Sequence, residues 1–226
     1  MYTAFHQAHT DGTPVLHPLW FKYPQDSNTF PIDLQFFYGD SILVSPVTEE
    51  NSTSVDIYLA NDIFYDFLTL TPVEGTGSTV TLNDVNFTTI PLHIKGGSVL
   101  PLRVESANTT TMLRKKDLEF VVAPSQDGTA HGKLYIDDGE LIDPPYATSV
   151  EMAFKNGQLN VSGTFNHDTG VKLARVRFSN VQKAPTRVTV DHKQLGDSSI
   201  AYDASNQVLD VMVDIKFDRN FLVEYF

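Results

Sequence analysis

The sequence predicts a mainly β protein, two antiparallel β-sandwiches preceded by a short α/β stretch. Three observations lead there. From residue 41 onward, apolar side chains recur at every second position, in short runs divided by Gly, Asn and Asp turn signals. Before residue 41, the apolar spacing is that of a helix followed by a near-continuous apolar run. Residues 33–47, DLQFFYGDSILVSPV, form the seam between the two. Leu34, Phe36, Phe37 and Tyr38 are too densely apolar for an exposed loop, and Gly39-Asp40 then stops that segment as a helix end or turn would. Ile42-Leu43-Val44, closed by Pro46, reads as a short strand buried on both faces.

Composition bounds the function. The chain has 226 residues, 41% of them hydrophobic, enough for one large domain or two small ones. Its formal net charge of -12 excludes nucleic acid and anionic membrane as partner classes, since both call for a basic surface. Without cysteine there are no disulfides and no thiolate metal sites. No apolar run is long enough to span a bilayer, and Met1 opens directly into an amphipathic segment with no signal peptide in view. Asn-x-Ser/Thr triplets stand at Asn51, Asn86, Asn108 and Asn160. Together they point to a secreted or lumenal eukaryotic glycoprotein.

Taken in order, residues 1–9 place Met1, Ala4, Phe5 and Ala8 on one helical face, with Gly12 as the stop and Pro14 forbidding continuation. Residues 15–21, VLHPLWF, read as a parallel strand covered on both faces, although Pro18 is out of place in a central strand. Residues 23–28 are a turn cluster. Helix, buried strand and short helix together are the grammar of an α/β barrel or doubly wound sheet, and one such unit cannot fold alone. Residues 1–40 therefore need further polypeptide to cover them.

The strand series follows at 55–59, 63–68, 80–82, 88–94 and 98–102. After a polar, Thr-rich break at 106–111 it resumes at 118–123, 133–136, 148–154, 158–164, 171–178, 186–190, 208–215 and 221–226. Asn156-Gly157 marks a tight hairpin. Beyond it, Leu159 and Val161 face inward and Asn160 outward, which suits a glycan. The break divides the β region into 41–112 and 113–226.

Candidates for chemistry are few. Asp137, Asp138 and Glu140 could hold a hard cation or act as an acid/base pair. A strand ending in an Asp-Gly turn explains them more simply. His6 and His9 share a helical face and His17 is near in sequence, but no acidic third ligand accompanies them. Gly96-Gly97 lacks the helix and the Gly-Lys-Ser/Thr of a phosphate loop. Trp20, Tyr23, Phe36, Phe37, Tyr38, Phe64, Tyr65 and Phe67 could stack on sugars, but sit within apolar runs that favour the core. No Gly-x-Ser-x-Gly elbow occurs.

The order of motifs carries a resemblance. MYTAFHQAHTDGTPVLHPLWFKYPQD (1–26), DLQFFYGDSILVSPV (33–47), FYDFLT (64–69), IPLHIKGGSVLP (90–101), GKLYIDDGE (132–140) and the terminal VLDVMVDIKFDRNFLVEYF resemble the C-terminal portion of family 31 glycoside hydrolases, nearest to α-glucosidases of fungal and lysosomal type. His17 stands where the family usually has Arg, and Phe64 where it often has Trp. The resemblance implies the end of a (β/α)8 barrel at 1–40, a proximal C-terminal sandwich at 41–112 and a distal one at 113–226. It implies part of a retaining exo-acting α-glucosidase releasing glucose from α-glucosides such as maltose, through one Asp nucleophile and one acid/base carboxyl. The family's nucleophile motif resembles Trp-x-Asp-Met-Asn-Glu. Phe21-Lys22 follows Trp20, the only tryptophan here, so catalytic residues, cofactor and metal are all expected to be absent from this chain. The expected partner is the rest of the enzyme, and substrate is met through that partner. The alternatives are an α-xylosidase, a glycan-trimming glucosidase, or a free-standing carbohydrate-binding or structural sandwich.

Overall fold

The computed structural model describes residues 1–226. Backbone contacts divide the chain into two compact units, Met1 with Thr3–Gly96 and Tyr2 with Gly97–Phe226.

The first unit opens with the helix Tyr2–Asp11. Gly12 ends it at φ 79°, its N–H donating to the Ala8 carbonyl as a left-handed cap does. No residue of this helix is buried. A six-stranded sheet follows, in the order Leu16–Pro18, Phe36–Tyr38, Ile42–Val44, Leu92–Lys95, Ile63–Asp66 and Pro72–Glu74. Every neighbouring pair is antiparallel. A separate ribbon pairs Val55–Leu59 with Ser78–Leu82. Leu19, Phe37, Leu43 and Phe64 cluster with the ribbon residues Ile57, Tyr58 and Leu59 to make the core.

Gln35 ties this core together. Its Oε1 accepts from the Tyr58 N–H at 2.7 Å, and its Nε2 donates to the Tyr58 carbonyl and to Ser45 Oγ. A buried side-chain amide thus satisfies a strand edge that would otherwise lose its water.

Two expectations for the first unit are corrected. Within 15–21 only Leu16–Pro18 is a strand, and it pairs antiparallel with Phe36–Tyr38. Pro18 then caps a short helix, Leu19–Lys22, because its fixed φ and missing N–H suit a helix start and end a ladder. The segment 34–38 is likewise no helix. Phe36–Tyr38 forms a hairpin with Ile42–Val44, and Gly39 turns at φ 57°.

The second unit is one eleven-stranded sheet. Its order is Lys193–Gln194, Val188–Val190, Phe221–Tyr225, Gln158–Phe165, Thr148–Lys155, Thr129–Ile136, Ser98–Arg103, Leu118–Ala123, Lys172–Phe178, Val208–Lys216 and Ile200–Asp203. Neighbours are antiparallel except where Leu118–Ala123 meets Lys172–Phe178 and where Thr129–Ile136 meets Ser98–Arg103. Phe178 and Tyr225 stand six strands apart in that order, roughly 29 Å in a flat sheet. Their ring centroids are 5.1 Å apart. The sheet is therefore curled over on itself, and its inner face makes a sandwich-like core.

The division between units lies at Gly96-Gly97 rather than at 112/113. Ser98–Arg103 pairs along its whole length with Leu118–Ala123, so the Thr-rich break between them is an internal connection of the second unit. The tight turn expected at 156–157 is present, with φ 51° at Asn156 and 76° at Gly157.

Leu118–Ala123 is buried on both faces. Leu118, Phe120 and Val122 enter the core. On the other face Glu119 is 5% exposed and meets its register partner Arg175. It accepts from Arg175 Nε at 2.9 Å and from Arg177 Nη2 at 2.9 Å. Removing Glu119 takes the ion-pair partner from Arg177 and leaves Arg175 with Asp210 alone, at 3.4 Å. Glu119→Ala should therefore lower unfolding free energy in denaturant by about 3 kcal/mol. Lys133→Ala breaks only the exposed Lys133–Glu151 pair and should shift it by less than about 0.5 kcal/mol. Equal effects of the two substitutions would contradict this account of the sheet.

Candidate functional site

The acidic group at the end of Thr129–Ile136 is a turn. Asp137 Oδ1 accepts from the Gly139 N–H at 2.7 Å, and Asp138 Oδ1 from the N–H groups of Glu140 and Leu141 at 3.0 and 3.1 Å. Gly139 sits at φ 65°, which this Asx-type turn requires. Arg114 braces the turn from outside by donating to the carbonyls of Asp138 and Gly139. Those backbone bonds hold the Asp138 carboxyl below the usual carboxylate range. Asp138 is thus committed to local backbone, and Asp137 Oδ1 also accepts from the Tyr2 hydroxyl at 2.6 Å.

The other candidates are placed as follows. His17 is buried, with Nε2 against the Pro14 carbonyl and its ring stacked on Phe21 at 4.5 Å. Its Nδ1 lies 3.8 Å from the Asp40 carboxylate, which Lys22 also holds. His6 and His9 lie on the opening helix, none of whose residues is buried. No group of three or more His, Asp or Glu side chains is arranged to hold a metal ion. Gly96 and Gly97 each donate their N–H to a strand, to the Ile63 and Ala123 carbonyls at 2.8 Å, so neither is available to a phosphate.

The aromatic residues divide. Phe37, Phe64 and Tyr65 are fully buried. Tyr23 is half-buried and donates to Asp62 Oδ2 at 3.0 Å; burial, with that carboxylate beside it, pushes its hydroxyl pKa up. Trp20 and Phe21, expected in the core, remain 46% and 43% exposed. Met1, Phe5, Leu16, Phe30 and Leu34 are exposed as well, so the first unit carries a broad apolar surface over residues 1–34. Isolated exposed apolar residues are ordinary, but such a concentration marks a surface that meets another body.

Sequence reasoning missed one polar cluster. Glu224 is 5% exposed and accepts from Gln158 Nε2 and Thr189 Oγ1, with His192 Nδ1 at 3.1 Å. The strand pairing that assembles it spans 66 residues of sequence, and no local signal announces it. All four Asn-x-Ser/Thr asparagines are exposed, and Asn160 stands between buried Leu159 and Val161. No helix is long and apolar enough to cross a membrane.

Comparison with known proteins gives these arrangements a family. Residues 12–100 match the model of the glycosyl hydrolase family 31 C-terminal domain. A "Probable alpha/beta-glucosidase" of Arthroderma benhamiae is 52% identical over 166 residues, covering 74% of this chain and 19% of that protein. One of Aspergillus clavatus is 42% identical over 220 residues, covering 97% of this chain and 25% of that protein. The chain thus spans between a fifth and a quarter of the length of these relatives. Among solved structures, the glucosidase II alpha subunit bound to alpha3-Glc2 superposes over 100% of this chain and 27% of its own, with TM-score 0.86 and 26% identity. Family model, relatives and superposed structure agree, and the chain belongs to glycosyl hydrolase family 31, whose C-terminal domain it carries.

Proposed function

We propose that this chain is the non-catalytic C-terminal part of a retaining, exo-acting α-glucosidase, and that it completes and supports the catalytic barrel. The observation that carries the reading is the set of exposed apolar side chains within residues 1–34, Trp20 and Phe21 among them. Burying each such side chain contributes on the order of 1.5–3 kcal/mol, so several together rival the stability of a whole domain. That surface fits a barrel supplied by further polypeptide. Asp137 and Asp138 are engaged in a turn and Glu119 in ion pairs, which supports a reading in which the two reacting carboxyls belong to the barrel. Substrate is met through that partner, with no cofactor required.

The relatives' names, alpha/beta-glucosidase, support glucose release from glucosides, and maltose is the α-glucoside that this reading takes as substrate. Trimming of glycans is the second reading, favoured by the superposition on glucosidase II. Comparing the full-length enzyme on maltose and on an alpha3-linked diglucoside separates them. Either activity suits the secretory pathway or a vacuolar or extracellular compartment, where the sequons, Asn160 foremost, would carry glycans.

Two measurements test the division of labour. The purified chain incubated with maltose should release no glucose, whereas the full-length enzyme should. Turnover by the chain alone would overturn the reading. In the full-length enzyme, Asp138→Ala should lower the melting temperature slightly and leave kcat unchanged. A loss of kcat by orders of magnitude at unchanged melting temperature would instead place Asp138 in the chemistry.

A further inference from the structure

A second exposed apolar area lies away from residues 1–34. Phe87 is 104% exposed, Leu68 74% and Ile90 60%. Leu68 and Ile90 line one hollow of about 190 Å3, together with Asp66, Thr88 and Thr89. Phe87 immediately precedes Thr88. Two large exposed side chains line this depression and a third, Phe87, adjoins its lining residue Thr88 in sequence, a concentration that suits an occupant.

The chain supplies an attachment point at that place. Asn86, Phe87 and Thr88 form an Asn-x-Thr triplet, and Asn86 is exposed. Its Oδ1 is taken: it accepts from the Thr88 N–H at 3.0 Å, from Thr88 Oγ1 at 2.8 Å and from Thr89 Oγ1 at 2.8 Å. Those bonds fix the amide and leave Nδ2, the atom that glycosylation uses, as its remaining polar group. Asn51, Asn108 and Asn160 are exposed too, but no comparable group of large apolar side chains surrounds them.

We propose that Asn86 carries an N-linked glycan whose first N-acetylglucosamine lies over Phe87, Leu68 and Ile90. The donor is a lipid-linked oligosaccharyl diphosphate. A bond forms from Asn86 Nδ2 to the sugar's C1, the C1–O bond to the diphosphate breaks, and the amide proton passes to a base. The sugar's apolar C–H face then packs on the Phe87 ring, while its hydroxyls and N-acetyl group stay in water. One modification thus covers an apolar patch that the polypeptide leaves bare.

The inference rests on the secretory reading above, and its test uses a host that imposes the compartment. The full-length enzyme is secreted from a eukaryotic host, and its peptides are mapped for occupancy at each triplet. Asn86 should be modified. An unmodified Asn86 peptide at full abundance overturns the proposal whatever the other triplets carry, and leaves the native compartment and the α-glucosidase reading untouched. The folded, secreted protein is then compared in three forms: with intact glycans, trimmed to one sugar per site, and fully deglycosylated. A hydrophobic dye should stay dark with the first two and light up with the third. In Phe87→Ser, which keeps the triplet, the third form should lose much of that signal. Equal dye signals in all three forms would overturn the placement of the sugar on the patch.

Discussion

The apolar side chains of residues 15–21 and 30–37 are sealed on one side by the chain that contains them. Leu19 and Phe37 are buried with the core of the first unit, whereas Leu16, Trp20, Phe21, Phe30 and Leu34 stay in water. Alternate residues of a strand point to opposite faces, and a short helix adds its own outward side, so one packing partner cannot cover them all. The hydrophobic cost of the uncovered side accounts for both the form of the first unit and its proposed role. A six-stranded sheet and a ribbon seal the inner side. In the proposed reading, a barrel supplied by further polypeptide seals the outer one.

The second unit solves a different problem. It buries a large core with one continuous sheet, and one of its interior strands, Leu118–Ala123, is covered on both faces. A single charge on that strand has to be paired where it lies. Glu119 meets two arginines on the parallel neighbour, and Asp210 stands 3.4 Å from one of them. Burial raises the pKa of the Asp210 carboxyl despite those guanidinium groups. Gly132 belongs to the same economy of space, since a Cβ there would come within 2.1 Å of the Val99 carbonyl oxygen. In both units buried polar side chains are bonded to backbone or to each other, as Gln35 is to Tyr58 and Glu119 to Arg175 and Arg177.

Period-two alternation made most strands legible. Leu118–Ala123 was read to the residue, and the hairpin at Asn156-Gly157 was correctly placed, because positive φ at both turn positions has few other sequence solutions. The stop at Gly12 was legible for the same reason. The segment 34–38 leaves helix end and turn both open, because a three-residue apolar strand has no measurable period and Gly39 ends a helix and turns a hairpin equally well. The curl of the large sheet was not legible at all. It depends on pairings such as Gln158–Glu224, far apart in sequence, which local patterns do not encode. The Asp137–Glu140 turn was readable from Asp-Asp-Gly, while the Glu224 cluster and the exposed faces of Trp20 and Phe21 needed the fold. Apolar runs say that a residue seeks burial, not whether its own chain provides it.

The central claim is that the outer side of residues 1–34 is buried against a catalytic barrel in the complete enzyme. Trp20→Ala tests it most directly, measured as denaturant unfolding in two settings. In the isolated chain Trp20 is half in water, and its removal should change unfolding free energy by less than about 1 kcal/mol. In the full-length enzyme the same substitution should cost about 3 kcal/mol, as for a large buried aromatic. An equally small effect in both settings would show that no barrel covers Trp20, and would contradict the account.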